Sequence, residues 1–146
     1  MVKKIWFFIT ALAALGALAA TQNRGDIEVS LAGFRNETGV VIVNLFNKAD
    51  DYPQPDQAFR QINLSPGKKL TAIFKGIPYG RYSISVIHDE NEDKKFTMRW
   101  LPWPKPLEGG GFSNNANAKM GPPDYKETIF LHESPKTRQK IEITYP

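Results

Sequence analysis

The run HDENEDKKF, His88 to Phe96, gathers carboxylates, an amide and an imidazole into nine residues of a 146-residue chain. Asp89, Asn91 and Asp93 place an oxygen-bearing side chain at every second position. Calcium is a hard cation that takes roughly six to eight oxygen ligands, and side chains at positions one, three and five of a loop can wrap three of them around one point. The rest of a calcium loop is not in the sequence. Counting from Asp89, Lys94 occupies the sixth position, where glycine permits the sharp turn, and Trp100 the twelfth, where a bidentate glutamate closes the shell. Thr97 at the ninth offers a neutral oxygen and Lys95 a backbone carbonyl, while Lys94 and Lys95 repel a cation. Glu90, Glu92 and the distant Glu108 are the carboxylates left to complete a set. The competing reading is an Asx-rich turn that launches a loop, its side chains bonded to nearby backbone amides. That turn is the expectation, with calcium the one candidate cofactor.

His88 sits beside Asp89, and with Ser113 and His132 elsewhere it raises the possibility of a nucleophile triad or a metal ligand. No G-x-S-x-G elbow or H-E-x-x-H pair accompanies it. His88 is in phase with Tyr82, Ile84 and Val86, so it is expected to end a core-facing row and to hydrogen-bond into the long loop. His132, between Leu131 and Glu133, is expected at the surface. In WLPWPKPLEGGGFSNN, the indoles of Trp100 and Trp103 lie near Asn114 and Asn115, a combination that suits the apolar faces and hydroxyls of a sugar. The favoured reading is that Trp100, Trp103 and Phe112 anchor the loop while the glycines and the Asn pair turn the backbone. The candidate ligand-binding set is His88, Trp100, Trp103, Glu108, Ser113, Asn114 and Asn115. The candidate metal set is Asp89, Asn91 and Asp93.

Strands must position these residues. DIEVSLAGF alternates Ile27, Val29 and Leu31 against polar neighbours, and TGVVIVNLF is rich in β-branched residues and reads as a more buried strand. NKADDYPQPDQA, with two prolines, reads as a loop. AFRQINL, KLTAIFKG and RYSISVIHDE follow as strands, with IPYG a tight turn in which Gly80 is free to take a positive φ. A long irregular segment runs from Lys94 to Pro123, and TIFLHE and KIEITY close the chain. About seven strands and no helix of amphipathic period predict an all-β fold, a single antiparallel β-sandwich with one long irregular loop.

The N-terminus adds an address. MVKK followed by IWFFITALAALGALA has the charged start, apolar core and A-x-A ending of a signal peptide, with cleavage expected after Ala19. The mature domain, residues 20–146 and ordered from about residue 26, is then expected in the periplasm or outside the cell, without stable membrane insertion. The chain has no cysteine, which excludes disulfides, a lipid-modified cysteine, a zinc-thiolate site and a cysteine nucleophile. The formal charge of +4 falls to +2 when Lys3 and Lys4 are removed, and the scattered cations argue against nucleic acid.

FKGIPYGRYSISVIHDE resembles a segment shared by transthyretin-like and carboxypeptidase-regulatory-like sandwiches, at Phe74, Gly76, Ile77, Pro78, Gly80 and Tyr82. Its continuation through LPWPKPLEGGGFSNNA and GPPDYKETIF resembles a narrower group, the secreted bacterial family catalogued as domain of unknown function 2141. The matching positions are His88, Asp89, Asn91, Asp93, Pro104, Glu108, Gly111, Phe112, Ser113, Asn114, Asn115, Gly121, Pro122 and Pro123. Lys94 stands where that family has Gly, and Thr97 where it often has Asp. The resemblance spans roughly Ile27 to Tyr145 and implies a secreted sandwich of transthyretin-like or immunoglobulin-like architecture whose activity is open. The functional expectation is a non-catalytic binding or accessory module for a small-molecule, glycan or protein ligand. The alternative is a calcium-stabilised structural domain, and a carbohydrate-binding module or a hydrolase ranks below both.

Overall fold

The protein is described by a computed structural model covering residues 23–93, 98–99, 105–106, 108–118 and 121–146. Along the chain run strands β1 (Arg24–Ala32), β2 (Val40–Phe46), β3 (Arg60–Leu64), β4 (Lys69–Pro78), β5 (Gly80–Asp89), β6 (Met98–Arg99), β7 (Lys105–Pro106), β8 (Gly109–Phe112), β9 (Phe130–His132) and β10 (Lys136–Glu142). Short 3-10 turns at Pro55–Gln57 and Ser113–Asn115 and a four-residue helix α1 (Tyr125–Thr128) complete the described elements. One sheet has the order β10-β1-β4, and the other β3-β2-β5-β8 with β9 also on β5. β6 and β7 form a separate two-stranded ribbon.

The two sheets pack face to face through the alternating rows read in the sequence. Ile27, Val29 and Leu31 of β1 and Ala72 and Phe74 of β4 meet Val41, Val43 and Leu45 of β2 and Tyr82, Ile84 and Val86 of β5. Each row obeys the two-residue period of a strand, so one face of each sheet is apolar and turned inward. β2 is buried on both faces because further chain covers its outer side: Phe46 meets the ring of Tyr52 with centroids 5.4 Å apart. Tyr52 also reaches the rings of Phe112 and Tyr125, and its hydroxyl donates to Pro123 O at 3.0 Å. Burial pushes the Tyr52 phenol well above its ordinary value. The proline-rich loop is therefore pinned by one aromatic side chain.

Several expectations are corrected. The sandwich is not wholly antiparallel, since β1 and β10 run parallel. GGGF, assigned to the irregular segment, is strand β8, paired with β5 from Ser85↔Phe112 to His88↔Gly109. Its glycines are needed where the C-terminal segment crosses it. A Cβ on Gly109 would stand 2.3 Å from the Tyr145 ring, and one on Gly111 would stand 2.6 Å from Ile141 Cγ2. The last strand lies at Lys136–Glu142, earlier than KIEITY suggested, and Thr144 makes an isolated bridge to Gly110. The positive φ falls at Gly76 (62°) and not at Gly80. There the Gly76 N–H donates to Asp26 Oδ1 and its carbonyl accepts from Arg24 Nη1, both at 2.9 Å, opposite a register shift in β1. The following corner is held by the Tyr82 hydroxyl, which donates to Pro78 O at 2.8 Å, a staple that recurs in Greek-key sandwiches. The expected signal peptide, residues 1–19, lies outside the described residues.

Candidate metal centre

The antiparallel register of β5 and β8 pairs His88 with Gly109. Carried one residue further, it faces Asp89 with Glu108. Successive side chains of a strand point to opposite faces, so His88 joins Tyr82, Ile84 and Val86 on the core side while Asp89 points the other way. Asp89 is fully buried and Glu108 is 4% exposed. Asp93, four residues beyond Asp89 on the exposed turn, brings a third carboxylate to them. One oxygen from each of Asp89, Asp93 and Glu108 lies within 4.8 Å of the other two.

The local sequence builds this arrangement through an Asx turn. The Asp93 N–H donates to Asp89 Oδ1 at 3.2 Å and to Asn91 Oδ1 at 3.0 Å, and Asn91 Nδ2 donates to Asp93 Oδ2 at 3.1 Å. Glu92 takes a φ of 59° to close the turn. The turn and the carboxylate cluster are thus one object, because the bonds that fold the chain back also carry Asp93 over Asp89. Like charges facing each other across paired strands are unfavourable. Ionised carboxylates whose oxygens lie within 4.8 Å of one another repel by about 3 kcal/mol or more per pair for an effective dielectric of about 20. A cation taking one oxygen from each would replace that repulsion with attraction. The donors are all oxygen, which suits a hard cation such as calcium, magnesium or manganese better than zinc or copper.

The other candidates separate from this cluster. His88 is fully buried, and its bonds do not reach the long loop as expected. Nε2 donates to Thr38 O at 2.7 Å, in the β1–β2 connection, and Nδ1 lies 2.6 Å from the Tyr145 hydroxyl. That hydroxyl accepts the Arg35 N–H at 3.2 Å, which leaves its own proton for Nδ1. His88 and Asp89 therefore form no dyad. Glu90, one of the carboxylates considered for the metal set, turns to the other side and pairs with Arg35 and Asn36. The Arg35 hydrogen bond holds the Glu90 carboxyl below its ordinary value. His132 is buried and not at the surface, with Nδ1 2.7 Å from Thr137 Oγ1 and Nε2 donating to Ile77 O at 3.1 Å.

Ser113, Asn114 and the side-chain oxygen of Asn115 are occupied with the fold. Ser113 is buried, accepts the Ile84 N–H at 2.9 Å and donates to Thr128 O. Asn114, at φ 61°, donates through Nδ2 to Ile129 O at 2.9 Å and Glu127 O at 3.2 Å. Asn115, at φ 49°, accepts the Glu142 N–H at 3.0 Å. The SNN sequence is a clamp that ties the end of β8 to β5, to α1 and the residue after it, and to β10. Trp100, Trp103, Thr97, Lys94 and Lys95 lie outside the described residues.

A family model described as "Uncharacterized protein conserved in bacteria (DUF2141)" matches residues 29–140, from the middle of β1 into β10. The chain belongs to this family. Comparison with curated proteins and with solved structures returns no match. Within this DUF2141 domain the sequence motifs now have distinct physical places: Asp89, Asp93 and Glu108 converge, GGGF forms the strand that brings Glu108 there, and SNN clamps that strand. Glu108 is the member that spacing alone did not assign. Its partner is set by strand register across a separation of nineteen residues, and the sequence signal was a strand made largely of glycine.

Proposed function

We propose that this DUF2141 protein is an exported, non-catalytic accessory domain in which Asp89, Asp93 and Glu108 take up one calcium ion. The observation that carries the reading is the approach of three carboxylates to within 4.8 Å, two of them buried and facing each other across β5 and β8. Calcium suits the set because Asp93 sits on a turn and can adjust, and calcium tolerates irregular shells of carboxylates, carbonyls and water. The ion would join the end of β5 to the start of β8 and so fix the two ends of the connection between them. The non-catalytic part of the reading is supported by the divergence of His88 from Asp89 and by the burial of Ser113 among backbone partners. Export is supported by the N-terminal MVKKIWFFITALAALGALA sequence. Among the described residues no helix is long and apolar enough to cross a membrane.

The test is thermal unfolding in calcium and in chelator. A ligand that binds only the folded state at about a hundred times its Kd stabilises by about 2.7 kcal/mol, which for a domain of this size raises the melting temperature by roughly 10 °C. Identical melting in the two conditions contradicts the proposal.

A further inference from the structure

The two sheets treat their outer faces differently. The five-stranded sheet buries Ile42, Phe46 and Ile87 there, whereas the β10-β1-β4 sheet leaves Ser30, Lys69, Thr71, Lys140 and Glu142 exposed. The register explains a trough in this second face. Thr71, Ser30 and Lys140 stand in one rank across the three strands, and Lys69, Ala32 and Glu142 in the next. The central strand supplies only the short side chains Ser30 and Ala32, while longer ones rise from both flanking strands. The resulting groove has a volume of about 530 Å³, and Asn115 is among the residues that line it. A second hollow of about 260 Å³, lined by Asn117 and Thr144 among others, shares Asn115 and Glu142 with it.

Charge decides what suits this surface. Lys136 and Arg138, farther along β10, are engaged by Glu28 at 3.5 and 3.6 Å. Lys69 and Lys140, diagonally across the trough, make no ion pair among the described residues. The wall therefore offers two ammonium groups, one carboxylate, two hydroxyls and an amide, set around a floor of small residues. We propose that this trough binds an acidic polysaccharide chain: Lys69 and Lys140 take successive sugar carboxylates, and Ser30, Thr71, Asn115 and Glu142 take sugar hydroxyls. A concave groove suits a chain lying along it, whereas a lipid surface calls for cations that protrude. Nucleic acid calls for a continuous basic stripe, and Glu142 interrupts one. The trough is built on the β10-β1-β4 sheet and the carboxylate cluster on β5 and the approach to β8, so this proposal does not depend on the calcium reading.

The experiment is a calorimetric titration of a hyaluronan oligosaccharide into the purified protein, with dextran and phosphatidylglycerol vesicles as competitors. Wild type is expected to bind hyaluronan, and Lys69→Gln/Lys140→Gln to bind at least about ten-fold more weakly while melting as wild type does. Lys136→Gln, which alters a lysine already paired with Glu28, is expected to stay within about two-fold of wild type. No binding of hyaluronan overturns the proposal. So does an unweakened double variant, equal competition by dextran, or stronger competition by the vesicles, the last of which would assign the face to a membrane surface.

Discussion

Glu108→Gln is expected to lose the stabilisation that calcium gives wild type: close to wild type in chelator, clearly less stable in calcium. The substitution keeps the shape of the side chain and removes one of three charges whose oxygens lie within 4.8 Å of one another. Without a cation it removes two like-charge pairs together with the other contacts of a buried carboxylate, so the shift in chelator is expected to be small. With calcium present the same change removes a charged ligand from a partly buried site, and the variant forfeits most of the roughly 2.7 kcal/mol that the ion contributes to wild type. The measurement is a pair of denaturant or thermal melts for each protein. A purely structural role for Glu108 predicts the same shift in both conditions, so parallel shifts would remove the cation reading.

Gly39→Ala is expected to cost about 3 kcal/mol or more, in calcium and in chelator alike. Gly39 has a φ of 78°, and a Cβ placed on it would stand 2.0 Å from the Asp89 carbonyl oxygen and 2.7 Å from Glu90 Cα. Both obstacles are backbone, so no side chain can swing aside. The connection that carries Gly39 also presents Thr38 O to His88 and Arg35 to Glu90, so relieving the clash would disturb both contacts at the end of β5. A melting temperature lower by roughly 10 °C is expected. Gly80→Ala is the matched control. A Cβ there meets Tyr82 Cε2 at 3.6 Å, an ordinary contact, and φ is not positive. Its effect is expected within about 1 kcal/mol. Equal melting of the two variants would show that the approach of this loop to the end of β5 does not support the fold.

How much of this was legible in the sequence follows from what kind of signal each element leaves. β1, β4 and β5 announce themselves because their side chains alternate and β2 because it is a β-branched run buried on both faces, and the sandwich follows from those rows. β8 is silent for the opposite reason: GGGF lacks the side chains that show a period, and the glycines are there so that Tyr145 and Ile141 can lie against it. His132 was misplaced because Leu131, its apolar neighbour, is the exposed residue at 50%, while the imidazole faces in and finds Thr137 and Ile77 as partners. Asp89 and Asp93 were visible as a two-residue spacing on a turn. Glu108 could be named among the carboxylates left to complete the set but not assigned to it, because strand register is a pairing property that no local window contains. The Asn pair was legible as backbone turns, and both residues do take positive φ. Their side-chain bonds to β10 and to the end of α1 depend on chain that arrives later.

Calorimetric titration of calcium into chelator-treated protein decides whether Asp89, Asp93 and Glu108 make one cation site. Wild type should give a saturable isotherm with one ion per chain, and an Asp89→Asn/Glu108→Gln variant should give none. Absence of saturable heat in wild type, or the same isotherm in the double variant, would contradict the account.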